Sequence, residues 1–251
     1  MLGQGTLSLS VAVVALVAVT VAVAARLRLG YARDTVVVTV RAVIQLLLVG
    51  VVIRIVFDTP ALAPVYLTVM LSAAAFTSGR RLRRVPRAAA AAAASIAAGA
   101  STTGAVVFLS GALPFHAREV VPFTAQLIGG SMTATTLAGQ RFIDDVGSTW
   151  ELVEAWLVLG ATPRQAVREM GRTAVARAVV PVMDQTRNVG LVVLPGSYVG
   201  LLLGGATPLE AGRVQLLVLI GLITASTVAA AVVTSLLSAT LGSHKPAAVP
   251  R

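Results

Sequence analysis

The sequence of 251 residues contains no cysteine. It therefore offers no disulfide bond, no thiolate metal ligand and no cysteine nucleophile. Charge is also scarce, because only 12% of the residues are Asp, Glu, Lys or Arg, about half the share of an average soluble domain. Hydrophobic residues make up 57% of the chain, and its mean hydropathy is +0.88. This composition indicates an integral membrane protein.

Three further absences narrow the function. No apolar segment contains an Asp, Glu or His away from its ends, which argues against a proton-coupled carrier, because such relays need ionisable groups at membrane depth. No glycine-rich phosphate loop with a lysine occurs, so any ATP must be hydrolysed by another chain. His116 and Glu119 form at most an incomplete metal site. We therefore expect no enzyme activity, no catalytic residue, no metal site and no cofactor bound by this chain.

Seven apolar segments approach the length of about 20 residues that a helix needs to cross a bilayer. They are residues 7–25, 35–57, 62–79, 88–109, 121–139, 189–206 and 214–241. Basic residues follow the first segment rather than precede it, which favours a retained span, with a cleaved signal peptide as the alternative. The fourth is rich in alanine and is expected to hold by close helix packing, with a surface helix as its alternative.

Basic residues indicate the orientation of these spans. With the N-terminus outside, 16 of the 20 Lys and Arg residues lie on the inner side, as the positive-inside rule requires. Basic loops beside apolar spans also explain the net charge of +10 without nucleic acid as a partner.

The sequence thus predicts an all-α polytopic protein of about seven transmembrane helices, with its N-terminus outside and its C-terminus inside. We expect it in the cell inner (plasma) membrane, in contact with lipid. Residues 1–242 are predicted to form a single permease domain, and residues 243–251 a short, disordered cytoplasmic tail.

A polar segment, residues 141–187, separates the fifth and sixth spans. Its charged side chains are too costly in lipid, so we expect the segment in the cytoplasm. Apolar residues at helical spacing predict an amphipathic helix over residues 148–159, capped by Ser148 or Thr149. These residues are Trp150, Val153, Trp156 and Leu157.

A turn and a second helix are expected to follow. Gly160 is predicted to end the first helix, with Thr162 as the N-cap of the next helix and Pro163 at its first position. The second helix is then expected to carry three basic residues on one face, namely Arg164, Arg168 and Arg172.

Glu154 and Ala155, separated by four residues from Gly160, match the coupling motif of the permeases of ABC-type importers. An amphipathic helix that lies on the membrane surface is the alternative interpretation. The residues predicted to couple to an ATPase are Glu151, Glu154, Ala155, Gly160, Ala161, Pro163 and Arg164.

Ordered motifs along most of the chain resemble the FetB/YbbM-type permease family. They are residues 41–46 (RAVIQL), 130–135 (GSMTAT), 159–163 (LGATP), 181–186 (PVMDQT), 189–196 (VGLVVLPG) and 202–208 (LLGGATP). This resemblance implies a membrane subunit of a two-component ABC system assigned to iron export, with plant relatives in aluminium tolerance. It also implies a homodimer and a separate cytoplasmic ATPase subunit, which would bind ATP and Mg.

The sequence departs from that family at two places. The family usually has Asn where this chain has Gly130, and a Met-Met-Thr-Gly-Gln run where this chain has residues 197–201 (SYVGL). Both changes remove polar or thioether groups at membrane depth. They favour an anionic or organic solute as much as a metal, and a stand-alone channel or carrier for an anionic solute is the alternative function.

Candidate residues for a translocation path occur in three of the predicted spans. They are Arg41 and Gln45 in the second, Ser131, Met132 and Thr135 in the fifth, and Pro195 and Gly196 in the sixth. Alternatives remain open: Arg41 could extend to the interface, and the hydroxyl groups could bond their own or a neighbouring helix. Pro195 is expected to kink the sixth span, and Gly196, Gly200 and Gly204 to form a close-packing face.

Overall fold

The computed structural model describes residues 2–30 and 32–244, with burial defined from residue 8 onward. Its regular secondary structure in this part of the chain is helical. Contacts divide the chain into two compact units, Met1–Thr59 and Pro60–Arg251. The single permease domain remains a prediction, and most of the predicted tail, including Lys245 and Arg251, lies outside the described residues.

The first unit consists of two long apolar helices that pack against each other. Helix α1 spans Leu2–Arg26 and helix α2 spans Ala32–Asp58. The backbone reverses between them at Arg28 and Gly30, both of which have positive φ. Both helices are long and apolar enough to cross a membrane, as predicted for the first two spans.

Four long helices form the centre of the second unit. A 3-10 turn, Pro60–Leu62, leads into α3 (Ala63–Arg81), and α4 (Ala88–Leu109), α5 (Ala117–Ser148) and α10 (Pro208–Ser243) pack with it. The prediction that the alanine-rich fourth segment packs closely is confirmed, since Ala92 and Ile96 are fully buried. Among the described residues, five helices have the length and composition of spans.

Three helices approach one another closely at Gly99. A Cβ atom on this glycine would lie 2.5 Å from the carbonyl oxygen of Ala225, 2.6 Å from Ser131 Oγ and 3.1 Å from Ala229 Cβ. Glycine is therefore the residue that lets α4, α5 and α10 meet at this point.

The predicted fifth span lies within α5, which extends well beyond it to 32 residues. α5 is not among the five helices with span-like hydropathy, because its composition is more polar. The seven-span count and the N-out, C-in orientation therefore remain predictions.

The expectation of a helical sixth span over residues 189–206 is wrong. Turns occupy residues 189–195, and α9 (Gly196–Leu203) has only eight residues, or about 12 Å of helix against a bilayer core of about 30 Å. Gly190 has a φ of 81°, and Pro195 lies just before α9 with an extended backbone. Hydropathy predicted a span, but these two residues turn the chain.

The expected features of that span change accordingly. Pro195 precedes a helix rather than kinking one, because no helix lies on its N-terminal side. The expected close-packing glycine face makes no close approach within the described chain, since a Cβ atom at Gly196 or Gly200 would meet nothing within 4 Å. Its packing at a subunit interface remains a prediction.

The polar segment 141–187 contributes to the bundle more than expected. Residues 141–148 form the last two turns of α5, and α8 (Arg168–Arg187) packs along α5 and α10. Small residues make this packing possible: Gly171, Ala174 and Ala178 are buried against the two helices. α6 (Trp150–Val158) and the following turn have few contacts with the long helices, whereas α7 (Pro163–Ala166) packs on the end of α10; together they are called the α6–α7 segment below.

Candidate functional site

Buried apolar side chains hold the α6–α7 segment firmly on the bundle. Val153 is fully buried in a core cluster that includes Phe142 and Ala166, and Trp150 and Leu157 pack against it. These three positions follow the predicted apolar pattern. Trp156, the fourth, does not: half of its surface is exposed.

The N-terminus of α6 differs from its predicted chemistry. Thr149 occupies the N-cap position as expected, but its hydroxyl makes no capping bond to the helix. Instead, Thr149 Oγ1 donates to the carbonyl oxygen of Asp145 at 2.7 Å. The side chain therefore binds the end of α5, which orients α6 relative to the bundle.

The turn between α6 and α7 has the predicted structure. Gly160 has a φ of +90°, and its N–H donates to the carbonyl of Leu157 while the N–H of Ala161 donates to that of Trp156. This pair of bonds is a Schellman motif, which satisfies the free carbonyls at a helix end. Thr162 then caps α7 through a capping box with Gln165.

Pro163 occupies the first turn of α7, as predicted. The expected single second helix is interrupted, however, because Val167 separates α7 from α8. Arg164 therefore lies on a different helix from Arg168 and Arg172.

The same turn occurs a second time in the chain. Residues 160–163 and 205–208 share the sequence Gly-Ala-Thr-Pro. Gly205 has a φ of +93°, the N–H groups of Gly205 and Ala206 form the same Schellman bonds, and Thr207 caps α10 through a capping box with Glu210. Thr207 and Pro208 thus have the same positions at the start of α10 as Thr162 and Pro163 at the start of α7. The two turns lie near opposite ends of α10, since Pro163 contacts Gly242 near its C-terminal end.

Arginines are concentrated at the end of the second unit that carries the first of these turns. Arg84, in the connection between α3 and α4, forms an ion pair of 2.8 Å with Asp144 at the end of α5. This contact places the α3–α4 connection at the same end of the second unit as the α6–α7 segment. Five arginines belong to that connection and the end of α3: Arg80, Arg81, Arg83, Arg84 and Arg87.

The outer surface of the α6–α7 segment combines apolar and charged side chains. Val158 is 87% exposed and Leu159 79% exposed, beside the half-exposed Trp156. Glu154 is exposed and accepts a hydrogen bond of 2.7 Å from Trp150 Nε1. The other predicted coupling residues are also at the surface. Exposed ones are Glu151, Ala155, Gly160 and Arg164, and partly exposed ones are Ala161 and Pro163. The structure therefore brings the predicted coupling residues together on one element.

The predicted path residues do not share one surface in the second unit. Ser131 and Thr135 are fully buried between helices, and Met132 is partly buried. Pro195 is buried, whereas Gly196 is exposed. Ser131 Oγ lies 3.5 Å from the carbonyl oxygen of Ala225, so this hydroxyl bonds a neighbouring helix.

The remaining path candidates, Arg41 and Gln45, lie in the first unit. Both are exposed and line a shallow groove on α2. The translocation path therefore remains a prediction.

One polar surface was missed by sequence reasoning. Arg177, Asp184 and Arg187 of α8 and Asn188 directly after it are exposed, outside the arc of its buried small residues. The three charged residues belong to the segment 141–187, which their charge predicted to be cytoplasmic. The spacing of Gly171, Ala174 and Ala178 was the signal that this helix packs inside the bundle.

A group of three or more His, Asp or Glu side chains able to hold a metal ion does not occur within residues 2–30 and 32–244. His116 and Glu119 flank the start of α5. A metal cargo would therefore need ligands beyond such a group, such as hydroxyl, carbonyl or amide oxygens, or ligands from a second chain.

The long apolar helices and the small-residue packing define a polytopic, all-helical membrane protein. The model of the family described as "Uncharacterised protein family (UPF0014)" matches residues 7–241, so the chain belongs to this family.

Several relatives resemble the chain over most of its length. The "UPF0014 membrane protein STAR2" of Oryza sativa subsp. japonica is 39% identical over 203 residues, covering 80% of this chain and 71% of the relative. "Protein ALUMINUM SENSITIVE 3" of Arabidopsis thaliana is 35% identical, covering 75% of this chain and 70% of the relative.

The "Probable iron export permease protein FetB" of Escherichia coli (strain K12) is 32% identical over 180 residues. The match covers 71% of this chain and 70% of the relative. The resemblance to the FetB-type permeases predicted from the motifs is therefore confirmed. No solved structure matches the chain.

Proposed function

We propose that the chain is the membrane-spanning permease subunit of an ABC transporter, energised by a separate ATPase that docks on the α6–α7 segment. Two copies of the permease would form the pore with two ATPase subunits. The observation that carries this proposal is the exposed apolar surface of Trp156, Val158 and Leu159 on an element that is otherwise packed against the bundle.

The distribution of arginine supports a cytoplasmic position for this element. The end of the second unit that carries the α6–α7 segment also carries the five arginines of the α3–α4 region. At the other end, the helix starts carry Arg118 and Arg213. The positive-inside rule assigns the arginine-rich end to the cytoplasm, where an ATPase would have its nucleotide.

The chemistry of the surface favours a protein partner over the lipid surface. Exposed apolar patches of this kind mark sites of protein or membrane contact. Glu151 and Glu154 are exposed on the same short helix, and their carboxylates would be repelled by the anionic lipids of a cytoplasmic leaflet. A groove on a soluble partner can instead bury Trp156 and Leu159 while it bonds the carboxylates.

Transport would require that the ATPase binds the segment differently in its two nucleotide states. A partner that binds both conformations of the permease with equal affinity cannot shift the equilibrium between them. The rigid mounting on Val153 and the capping box of Thr162 would transmit such a movement to α5 and α8. The name of the bacterial relative favours an exported metal as cargo.

Serine substitution of the exposed apolar residues tests the docking site. We expect Trp156→Ser combined with Leu159→Ser to weaken ATPase binding at least about thirtyfold, because central aromatic contacts in interfaces contribute about 2 kcal/mol or more. The measurement is the amount of ATPase retained by the affinity-tagged chain in mild detergent, followed by a titration of the purified ATPase.

The matched control uses the second Gly-Ala-Thr-Pro turn. Leu203 and Leu209 flank it and are 85% and 66% exposed. The Leu203→Ser, Leu209→Ser variant should keep the wild-type affinity. Equal ATPase binding by both double variants would show that the α6–α7 segment is not the docking site.

A further inference from the structure

We infer that the polar side of α8 lines a water-filled path across the membrane, and that Arg177 gives this path a preference for solutes with an anionic group. The inference deepens the proposed permease function and concerns a surface that the coupling segment does not include. The polar stripe of α8 consists of Arg177, Asp184, Arg187 and Asn188.

The depth of the stripe follows from two contacts between α8 and α10. Near its start, Gly171 faces Thr234 of α10, where an added Cβ atom would lie 3.8 Å from the Thr234 Cβ. Beyond its end, Val189 and Gly190 line a cavity together with Gln215 and Leu219 of α10. The two helices therefore run in opposite directions, side by side, over most of the length of α8.

Asp184 lies near the middle of the apolar part of α10. It follows Gly171 by 13 residues, or about 20 Å of helix, which reaches the level of Gly221. Gly221 packs among Phe123, Leu127 and Thr103. The next charged residue of α10 is Arg213, eight residues or about 12 Å away, and none follows between Val214 and Ser243.

Charges at this depth cannot face lipid. Asp184 and Arg187 form an ion pair of 3.1 Å, yet their side chains are 53% and 69% exposed. A charged side chain at the centre of a bilayer costs at least about 2.5–3.5 kcal/mol on insertion scales, and such residues face a bundle interior or a water-filled cavity. The stripe must therefore be covered by water or by protein.

The backbone of α8 also favours water on this side. Pro181 is exposed and has no N–H, so the carbonyl group of Arg177 loses its usual helical donor. At membrane depth, such a freed carbonyl is tolerated where it is buried in protein or faces a water-filled cavity. Its position next to the polar stripe places the free acceptor on the proposed path.

Arg177 determines the preferred solute charge. Arg172 pairs with Glu169 and Arg187 with Asp184, whereas the side chain of Arg177 forms no hydrogen bond or ion pair with any described residue. A second copy, related by an axis along the membrane normal, would place its own Arg177 at the same depth. Its Asp184 would lie seven residues, or about 10 Å, away along the axis. A carboxylate, a phosphate or an anionic metal complex can supply the missing negative charge.

Cysteine labelling tests the path directly, because the chain has no native cysteine. Val180 is 48% exposed between Arg177 and Asp184, and Val69 is 61% exposed on α3, which has no charged residue before Arg80. In proteoliposomes exposed to a charged thiosulfonate reagent on both sides, we expect Val180→Cys to react at least about tenfold faster than Val69→Cys. Equal, slow reaction of both variants would overturn the path. A spontaneous disulfide between two copies at position 180, without labelling, would also overturn it, because it would indicate a dry interface.

The charge preference is tested in the same Val180→Cys background. We compare an anionic sulfonate reagent with a cationic trimethylammonium reagent, with Arg177 intact or changed to Gln. One charge about 6 Å away in water alters each rate roughly threefold in opposite directions, so the anion-to-cation rate ratio should fall roughly tenfold. Arg177→Lys should keep the ratio. An unchanged ratio in the Gln variant would overturn the preference for anionic solutes.

Both measurements use the chain without an ATPase. Loss of ATPase docking with normal labelling would therefore remove the proposed coupling and leave the path intact. Normal docking with no labelling would remove the path and leave the proposed coupling intact.

Discussion

Gly160→Val is expected to release the ATPase from the chain, with at least about a tenfold loss of affinity. Gly160 has a φ of +90°, a backbone conformation that a β-branched residue adopts only under strain. Strain of this kind costs about 1–3 kcal/mol, and the exposed turn can relieve it by changing its path. Since α7 and the exposed Leu159 adjoin this turn, the docking surface would lose its shape. ATPase affinity, titrated on purified protein, measures the loss.

The second Gly-Ala-Thr-Pro turn supplies an unusually close control. Gly205 has a φ of +93°, the same Schellman bonds and the same capping box, near the opposite end of α10. Gly205→Val therefore introduces the same backbone strain and should lower the unfolding temperature by a similar amount. It should leave ATPase affinity unchanged. A loss of affinity in both variants would indicate that general destabilisation, rather than a specific docking surface, is responsible.

Gly99→Val is expected to destabilise the bundle strongly. The new Cβ atom would lie 2.5 Å from the Ala225 carbonyl oxygen and 2.6 Å from Ser131 Oγ, so two backbones must separate. Overpacking typically costs about 1–3 kcal/mol, and a backbone contact on this scale belongs at or above the upper end. At about 2–4 °C per kcal/mol for a chain of this size, the unfolding temperature in detergent should fall by roughly 6 °C or more.

Gly104→Val on the same helix is the matched control. A Cβ atom at Gly104 would meet only the Phe108 ring within 4 Å, at 4.0 Å. Both variants replace a helical glycine by valine, and only their close contacts differ. Similar unfolding temperatures for the two would contradict the close approach of α4, α5 and α10.

Local signals in the sequence predicted the turns well. The N-cap threonines, the prolines at first helical positions and the glycines at helix ends act through bonds within a few residues, so Gly160, Thr162 and Thr207 could be interpreted without knowledge of the fold. The alanine-rich α4 was also predictable, because small side chains have little reason to be there except close packing.

Two features could not be derived from hydropathy. Residues 189–206 are apolar enough for a span, but hydropathy does not distinguish a helix from a turn, and Gly190 and Pro195 determined the outcome. The charged side of α8 was placed in the cytoplasm because charge is costly in lipid. That rule holds for lipid-facing positions, and α8 has its small residues toward the bundle and its charges on a face that the described chain does not cover.

The function of the site depended on the resemblance more than on single residues. The coupling motif at Glu154, Ala155 and Gly160 uses residue types that are common at helix ends. The motif indicated a coupling function only because it lies among family motifs that occur in the same order along the chain. The exposure of Trp156 and Leu159 could not be predicted, since the helical spacing assigned Trp156 to the buried side.

The decisive measurement is solute flux in proteoliposomes that contain the tagged chain with or without the ATPase recovered with it from its own membranes. We predict that efflux from the cytoplasmic side requires both the ATPase and ATP, and that it stops in the Gly160→Val variant while it persists in Gly205→Val. Equal flux without the ATPase or without ATP would contradict the proposed function and identify the chain as a stand-alone channel or carrier.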